Sequence, residues 1–485
     1  MRGVAIVVIV LLFAARAHVG SLPITVQHEA QPVAGAQAAD PPWQAFVVAA
    51  SADERVAREA MRTIAPLWRD GYTPMLIDLA RLMPSSRAGN PADDDLTRRP
   101  TPGALARGRL IAFLQDRTKQ RFGDDLAAWR RWMWSLPASP HADYAVFKGE
   151  VYARLDPAFR EFFPPGVKHV IRLDQIDWGG VQVNGIPPLR SPKAIAAPAA
   201  TWLRDNHVVF GIEVNGQARA YPKRILAWHE LATDTLGGVP LTIVYCTLCG
   251  AAVPYESTVQ GRRFTFGTSG LLYRSNKLMF DQETKSLWSS IEGTPAVGPL
   301  VSTGLRLVAR PIVTTTWGEW RRDHPSTSVM SIDTGFARDY GEGVAYREYF
   351  ATHRLMFEVP VPDTRLDNKT EVLVLRPAEA GPGMPPVAIA VDRLMRQPVF
   401  SFESGVRRFV VVTSRDGANR VYDRGDVTFV NREADGRVRD AGGHAWTATD
   451  AALVGRTGER LPRVAAHRAF WFGWVAQYPD TVLHR

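Results

Sequence analysis

Val208-Val209-Phe210-Gly211-Ile212-Glu213-Val214 runs straight into Asn215-Gly216, and Ala218-Arg219-Ala220-Tyr221 follows. A β-branched and aromatic run, an Asn-Gly pair and a second short run predict a β-hairpin. Pro222 then opens a short helix, Lys223 to Glu230, because proline suits the first turn. Leu241 to Cys246 reads as a buried strand and Ala252 to Glu256 as another. Thr233-Asp234-Thr235-Leu236-Gly237-Gly238 reads as a connection short enough to keep helix and strand neighbours. Strands at this spacing with few helices predict an α+β protein.

Working forward, the pattern recurs. Thr316-Trp317-Gly318-Glu319-Trp320 precedes Asp323-His324-Pro325, and Phe470-Trp471-Phe472-Gly473-Trp474 precedes Gln477-Tyr478-Pro479. Val297-Gly298 matches Val454-Gly455, and Trp288 matches Trp446. Order is kept while offsets drift by a few residues, as insertions produce. Two copies of one β-rich unit are therefore expected, a first at 166–345 and a second, degenerate one at 346–485. Cys246 then aligns with Thr413, Cys249 with Asp416, and His229 falls near Arg396. The shared Trp, Pro and Gly positions are scaffold, and the reactive ones belong to the first copy alone.

Working backward, residues 44–165 are expected to be a helical domain. Val56, Ala57, Ala60, Met61, Ile64 and Leu67 keep helical spacing within Glu54–Trp68, and Thr73–Leu82 and Ala104–Gln115 do the same. Asp124-Asp125 caps a further helix ending near Trp134. Short helices in pairs suggest an α-hairpin pack, and Arg121-Phe122-Gly123-Asp124 with Trp129 and Trp132 resembles short stretches of HEAT-repeat proteins. Such a layer would serve an envelope protein partner. The chain opens with Met1-Arg2-Gly3, an apolar run from Val4 to Ala15, and Ala15-Arg16-Ala17. A charged start, a short apolar run and small residues read as a signal peptide over 1–17, followed by a flexible linker over 18–43. The run is shorter than the ~20 residues a bilayer span needs. A periplasmic or extracellular protein is expected, anchored in the membrane only if the leader stays on.

The net charge is +9 over 485 residues, without a long run of consecutive basic residues. Nucleic acid is therefore not an expected partner, and the excess positive charge reads as a solvated surface. No Walker A sequence, Gly-x-Ser-x-Gly or His-Glu-x-x-His occurs, and no reaction is assigned from the sequence.

Chemistry concentrates at Val244-Tyr245-Cys246-Thr247-Leu248-Cys249-Gly250, which holds both cysteines of the chain. Cysteines at i and i+3 in a tight turn put their sulfurs on one side, and Gly250 accepts the positive φ that such a turn needs. This is half of a zinc-ribbon site, and the second Cys pair that such a ribbon requires is missing. His229, in the helix before the Cys strand, is the candidate third ligand, expected within reach of the sulfurs. Met279 and Asp281 are the candidate thioether and oxygen ligands downstream. Cys2His with an open position suits zinc, and two sulfurs with imidazole and thioether suit copper. Copper or zinc is the expected cofactor and the metal ion the expected partner. Two other readings stand beside it. One is a thiol–disulfide redox pair, although no helix N-terminus lowers the thiol pKa. The other is a structural disulfide in a binding or scaffold protein, although so small a loop stabilises only modestly. A second polar run, Gly267-Thr268-Ser269-Gly270 through Asn276, either lines a pocket or forms hairpin corners.

These blocks also carry a resemblance. Glu213-Val214-Asn215-Gly216, Ala218-Arg219-Ala220-Tyr221-Pro222, Trp228-His229-Glu230, Leu236-Gly237-Gly238-Val239-Pro240, Tyr245 to Gly250, Ser269 to Tyr273, Leu287-Trp288-Ser289 and Asp339-Tyr340-Gly341 resemble the bacterial and archaeal family called domain of unknown function 3179. The likeness spans roughly residues 180–485 and implies an exported protein with this Cys-x-x-Cys turn. Thr247 stands where the family often has proline, and Arg274 where asparagine is common.

Overall fold

The computed structural model describes residues 40–84, 101–137, 139–381 and 383–485. The signal peptide expected over 1–17, and almost all of the linker expected over 18–43, lie outside the described residues. The chain divides into two units. One gathers the described residues up to Asp124 with 139–144, and the other holds 125–137 and 145–485. The class is α+β, with helices in the front of the chain and sheets behind. Among the described residues, no helix is long and apolar enough to cross a membrane.

In the first unit lie α1 (Trp43–Ala49), α2 (Glu54–Ile64), α3 (Thr73–Arg81) and α4 (Pro102–Thr118). Asp53 caps α2 by accepting from the Val56 amide, and Thr101 caps α4 by accepting from Ala104, each such cap being worth ~1 kcal/mol. The helices bury Phe46, Ala57, Ile64, Leu76 and Leu110. In the second unit, α5 (Leu126–Ser135) is capped by Asp125 as the acidic pair foretold.

The hairpin that opened the reading is β1 (Val208–Val214) and β2 (Gln217–Pro222), in register Val214↔Gln217 around Asn215-Gly216. The helix α6 (Lys223–His229) follows. Next come β3 (Leu231–Leu236), β4 (Val239–Cys246) and β5 (Ala251–Glu256), all antiparallel. The stretch 233–238, expected to be a connection, is mostly strand β3 with a two-glycine turn. Its Thr-Asp-Thr alternation suits a sheet, and Asp234 is held inside by Arg219 and by the Tyr221 hydroxyl at 2.7 Å. Further along lie the hairpin β6 (Phe266–Tyr273) and β7 (Asn276–Asp281), then β8 (Val313–Thr316), α7 (Trp317–Asp323) and β9 (Ser328–Met330). An irregular strap then carries α8 (Arg347–Phe350). After it come β10 (Glu371–Leu375), β11 (Val387–Ala390), α9 (Val391–Arg396), β12 (Val399–Ser404), β13 (Arg407–Thr413) and β14 (Asn419–Asp423). The chain finishes with β15 (His467–Phe470), α10 (Trp471–Val475) and β16 (Val482–His484).

One arrangement occurs in both halves of this unit. The order β8-β1-β2-β9 has two antiparallel pairings and then a parallel one. The order β15-β10-β11-β16 has the same senses in the same sequence. In each half a helix leaves the second strand, α6 or α9, and feeds a three-stranded antiparallel run, β3-β4-β5 or β12-β13-β14. Trp317 and Trp320 lie on the helix after β8, and Trp471 and Trp474 on the helix after β15. Each of these indoles is fully buried, a burial worth roughly 4–6 kcal/mol of apolar area before entropy.

Each of the two helices docks on a turn of the opposite half. Trp317 and Trp320 share a core with Ala418, in the turn between β13 and β14. Trp471 and Trp474 share one with Cys246 and Cys249, in the turn between β4 and β5.

Candidate functional site

Cys246 is the last residue of β4, and its position pairs with Ala251 at the start of β5. The four residues between close a tight turn. The Cys249 amide donates to the Cys246 carbonyl at 3.1 Å and the Gly250 amide to that of Thr247 at 3.3 Å. Gly250 has φ 61°, a conformation that other residues adopt only at a cost. Both cysteines are free and buried, and their sulfurs lie 2.7 Å apart. The Cys249 sulfur also lies 3.3 Å from the Ser275 carbonyl.

The wall around the sulfurs comes from four places. From α10, Gly473 packs so closely that a Cβ there would sit 2.8 Å from the Cys249 Cβ. The Phe470 amide donates to the Cys249 carbonyl at 2.7 Å. From the β6–β7 corner, Asn276 donates to the Gly473 carbonyl at 2.7 Å. From the strap, the Tyr349 hydroxyl donates to the Leu248 carbonyl at 2.9 Å. From the residue after α6, the Glu230 carboxylate takes the Lys277 ammonium at 2.7 Å and the Tyr346 hydroxyl at 3.0 Å. The side chains of that ion pair are only 4% and 12% exposed. A pair so dry holds because each charge keeps its partner.

The two thiols are inequivalent. Burial opposes ionisation of Cys246, but its contact with the Cys249 sulfur and the Lys277 and Cys249 amides outweigh it and bring Cys246 below an ordinary thiol. Burial, reinforced by the neighbouring Cys246 sulfur, pushes Cys249 well up. Of the two thiols, Cys246 is thus the more acidic.

The structure does not gather the expected ligand set. His229 has both ring nitrogens engaged elsewhere: Nδ1 donates to the Pro187 carbonyl at 2.8 Å and Nε2 accepts from the Tyr340 hydroxyl at 2.5 Å. The Tyr340 hydroxyl in turn lies 2.6 Å from the Thr334 hydroxyl. Burial lowers the His229 pKa, so the ring stays neutral and ties the strap to α6. Met279 packs in a core with Trp288 and Phe264. Asp281 accepts from the Thr284 amide at 2.6 Å and from the Trp288 indole at 2.8 Å, which makes it a turn cap. Among the described residues, no three His, Cys, Asp or Glu side chains form a group able to hold a metal ion.

Sequence reasoning located the sulfurs and missed most of what surrounds them. Glu230 was adjacent to a singled-out histidine, and Lys277 followed the Ser275-Asn276 corner. Pairing them needs β7 laid beside the end of α6. Tyr346, Tyr349 and Gly473 have no local signature at all.

No significant match was found among curated proteins or among solved structures. The family model described as Protein of unknown function (DUF3179) matches residues 183–481, more than half of the chain, and the protein belongs to that family.

Proposed function

We propose that Cys246 and Cys249 form a dithiol–disulfide couple that exchanges two electrons with a disulfide-bearing partner. The observation supporting this most strongly is that two free, buried thiols lie in contact in one turn, with no third His, Cys, Asp or Glu grouped with them among the described residues. In the forward step the Cys246 thiolate attacks one sulfur of the partner disulfide, and the other partner sulfur leaves as a thiolate and takes up a proton. Cys249 then loses its proton and attacks the Cys246 sulfur. The internal disulfide closes and the second partner thiolate is released, so two thiols are oxidised here and one disulfide is reduced in the partner. Access requires the strap residues Tyr346 and Tyr349 to move aside. Export under the leader expected at 1–17 would place the couple in a disulfide-permissive compartment.

The experiment is equilibration of the full chain in graded dithiol/disulfide buffers, with free thiols trapped and counted by mass spectrometry. A single transition that oxidises both cysteines together is expected, and Cys246→Ser should leave Cys249 unable to pair. The competing outcome is a soft metal ion on the same sulfurs. Near-stoichiometric copper or zinc in protein purified without added metal, with both thiols protected from oxidation until the metal is stripped, would overturn the redox reading.

A further inference from the structure

Four buried polar atoms on residues in and around α10 have no hydrogen-bond partner. They are Nε2 of His467, Nε1 of Trp474, the Tyr478 hydroxyl and Oγ of Ser290. The Trp474 ring contacts both of its neighbours, with centroids 6.1 Å from His467 and 4.4 Å from Tyr478. His467 lies on β15 opposite Val374, and Arg376 follows two residues on, on the same face of the sheet. Arg376 donates to the Tyr255 hydroxyl at 2.9 Å and to the Ile291 carbonyl at 3.1 Å. The Tyr255 hydroxyl also lies 3.0 Å from the Ser290 carbonyl, which brings the Ser290 backbone beside the same tyrosine.

An empty version of this region is hard to sustain. An unmet buried polar group is costly, and several close together call for a partner. These atoms therefore meet something that the chain does not supply.

Charge and donor chemistry narrow what it is. Arg376 is neutralised by Glu379. Glu292 lies near the Tyr478 hydroxyl, whose pKa burial and that carboxylate raise, and is paired with Arg306 at 3.0 Å. Burial, with the Arg376 charge adding to it, pushes His467 down to about 3, so the ring is neutral. The local charges cancel, and a guest ion would be an uncompensated buried charge, which is costly. The Trp474 indole only donates, whereas the Tyr478 and Ser290 hydroxyls donate and accept. The guest must be small, neutral, and both donor and acceptor.

We propose that His467, Trp474, Tyr478 and Ser290 line a closed internal site that holds ordered water. At ~3 hydrogen bonds per buried water, one or two molecules satisfy the four atoms. This inference is independent of the redox reading and survives if that reading fails.

Two measurements test it. A crystal structure of the full chain at a resolution that orders solvent should show oxygen density at hydrogen-bond distance from Trp474 Nε1 and from at least one of the other three atoms. Side chains turned onto protein partners with no density between them would overturn the proposal. So would density too large for water, which would mean a small organic guest. In solution, Tyr478→Phe removes one hydroxyl and nothing else. With water present it breaks a made hydrogen bond, and Tm should fall by about 2–4 °C. A dry site would lose an unmet group instead, and a rise in Tm would overturn the proposal.

Discussion

Gly473→Ala tests how tightly α10 is seated on the Cys-x-x-Cys turn. An added Cβ would stand 2.8 Å from the Cys249 Cβ, 3.2 Å from its sulfur and 3.3 Å from its Cα, all inside the 3.5–4.0 Å optimum for carbon contacts. Overpacking of this kind costs ~1–3 kcal/mol. It is offset by up to ~1 kcal/mol, because alanine is the better helix former. The net expectation is a loss of roughly 0–2 kcal/mol, too small to interpret alone, so the discriminating measurement is a double-mutant cycle. Cys249→Gly removes both the Cβ and the sulfur. In that background the two closest contacts are gone and only the 3.3 Å approach to the Cα remains, so Gly473→Ala should become much less destabilising or turn stabilising. The coupling should be about 1–3 kcal/mol, most of the overpacking cost. Thermal and urea unfolding followed by tryptophan fluorescence reads it, since Trp471 and Trp474 flank the substituted residue. Additive effects within ~0.5 kcal/mol would show that α10 does not bear on Cys249, and the docking described above would be wrong.

Lys277→Met strands the Glu230 carboxylate in a nearly dry place and should cost ~3–5 kcal/mol, while the double variant Glu230→Gln, Lys277→Met should recover much of that; urea midpoints of the two decide it. His467 gives a pH dependence with a defined sign. Its folded pKa, depressed to about 3, lies below the unfolded value of ~6.5, so its contribution is fully present above pH 6.5 and is lost as pH falls toward 3. The slope approaches ~1.4 kcal/mol per pH unit, and His467→Phe should flatten the Tm profile between pH 4 and 6.5; an unchanged profile would refute the neutral buried ring. Superposing 208–330 on 371–484 in an experimental structure should bring Trp317 and Trp320 onto Trp471 and Trp474, and unrelated paths would refute the duplication.

Local elements were the most legible part of this chain. The hairpin 208–222 follows from Asn-Gly between β-branched runs, and the helix after it from Pro222. Local reading fails at 233–238, which reads as a linker but is the end of a strand and the two-glycine corner of a strand pair. At the site, the turn geometry of Cys246–Gly250 could be anticipated because all its causes lie within five residues. The third ligand was a guess about distance, and His229 was settled by Tyr340, 111 residues away. Asp281 and Met279 look like ligands by type, and only their partners show a cap and a core residue. Lys277 and Glu230 meet 47 residues apart, a pairing that no local spacing announces.

The exchange of helices between the halves explains why reactive sulfur sits in one turn and a carboxylate in the corresponding one. The turn after β13 is covered by α7, yet Asp416 keeps a third of its side chain in solvent and pairs with the exposed Arg322. A charge is affordable there because water still reaches it. The turn after β4 is covered by α10 and by the strap as well, and Cys249 is fully buried. An aspartate at 249 would have to shed its hydration without a cation beside it, a cost of several kcal/mol. A neutral thiol tolerates such a place, and its neighbour Cys246 is brought below an ordinary thiol, against burial, by its contact with Cys249 and by two amides. The seal that rules out a carboxylate also keeps water and oxidants from the dithiol. Under the proposed dithiol exchange, a partner would reach the sulfurs only after the strap carrying Tyr346 and Tyr349 moves, so opening of the strap would precede sulfur chemistry.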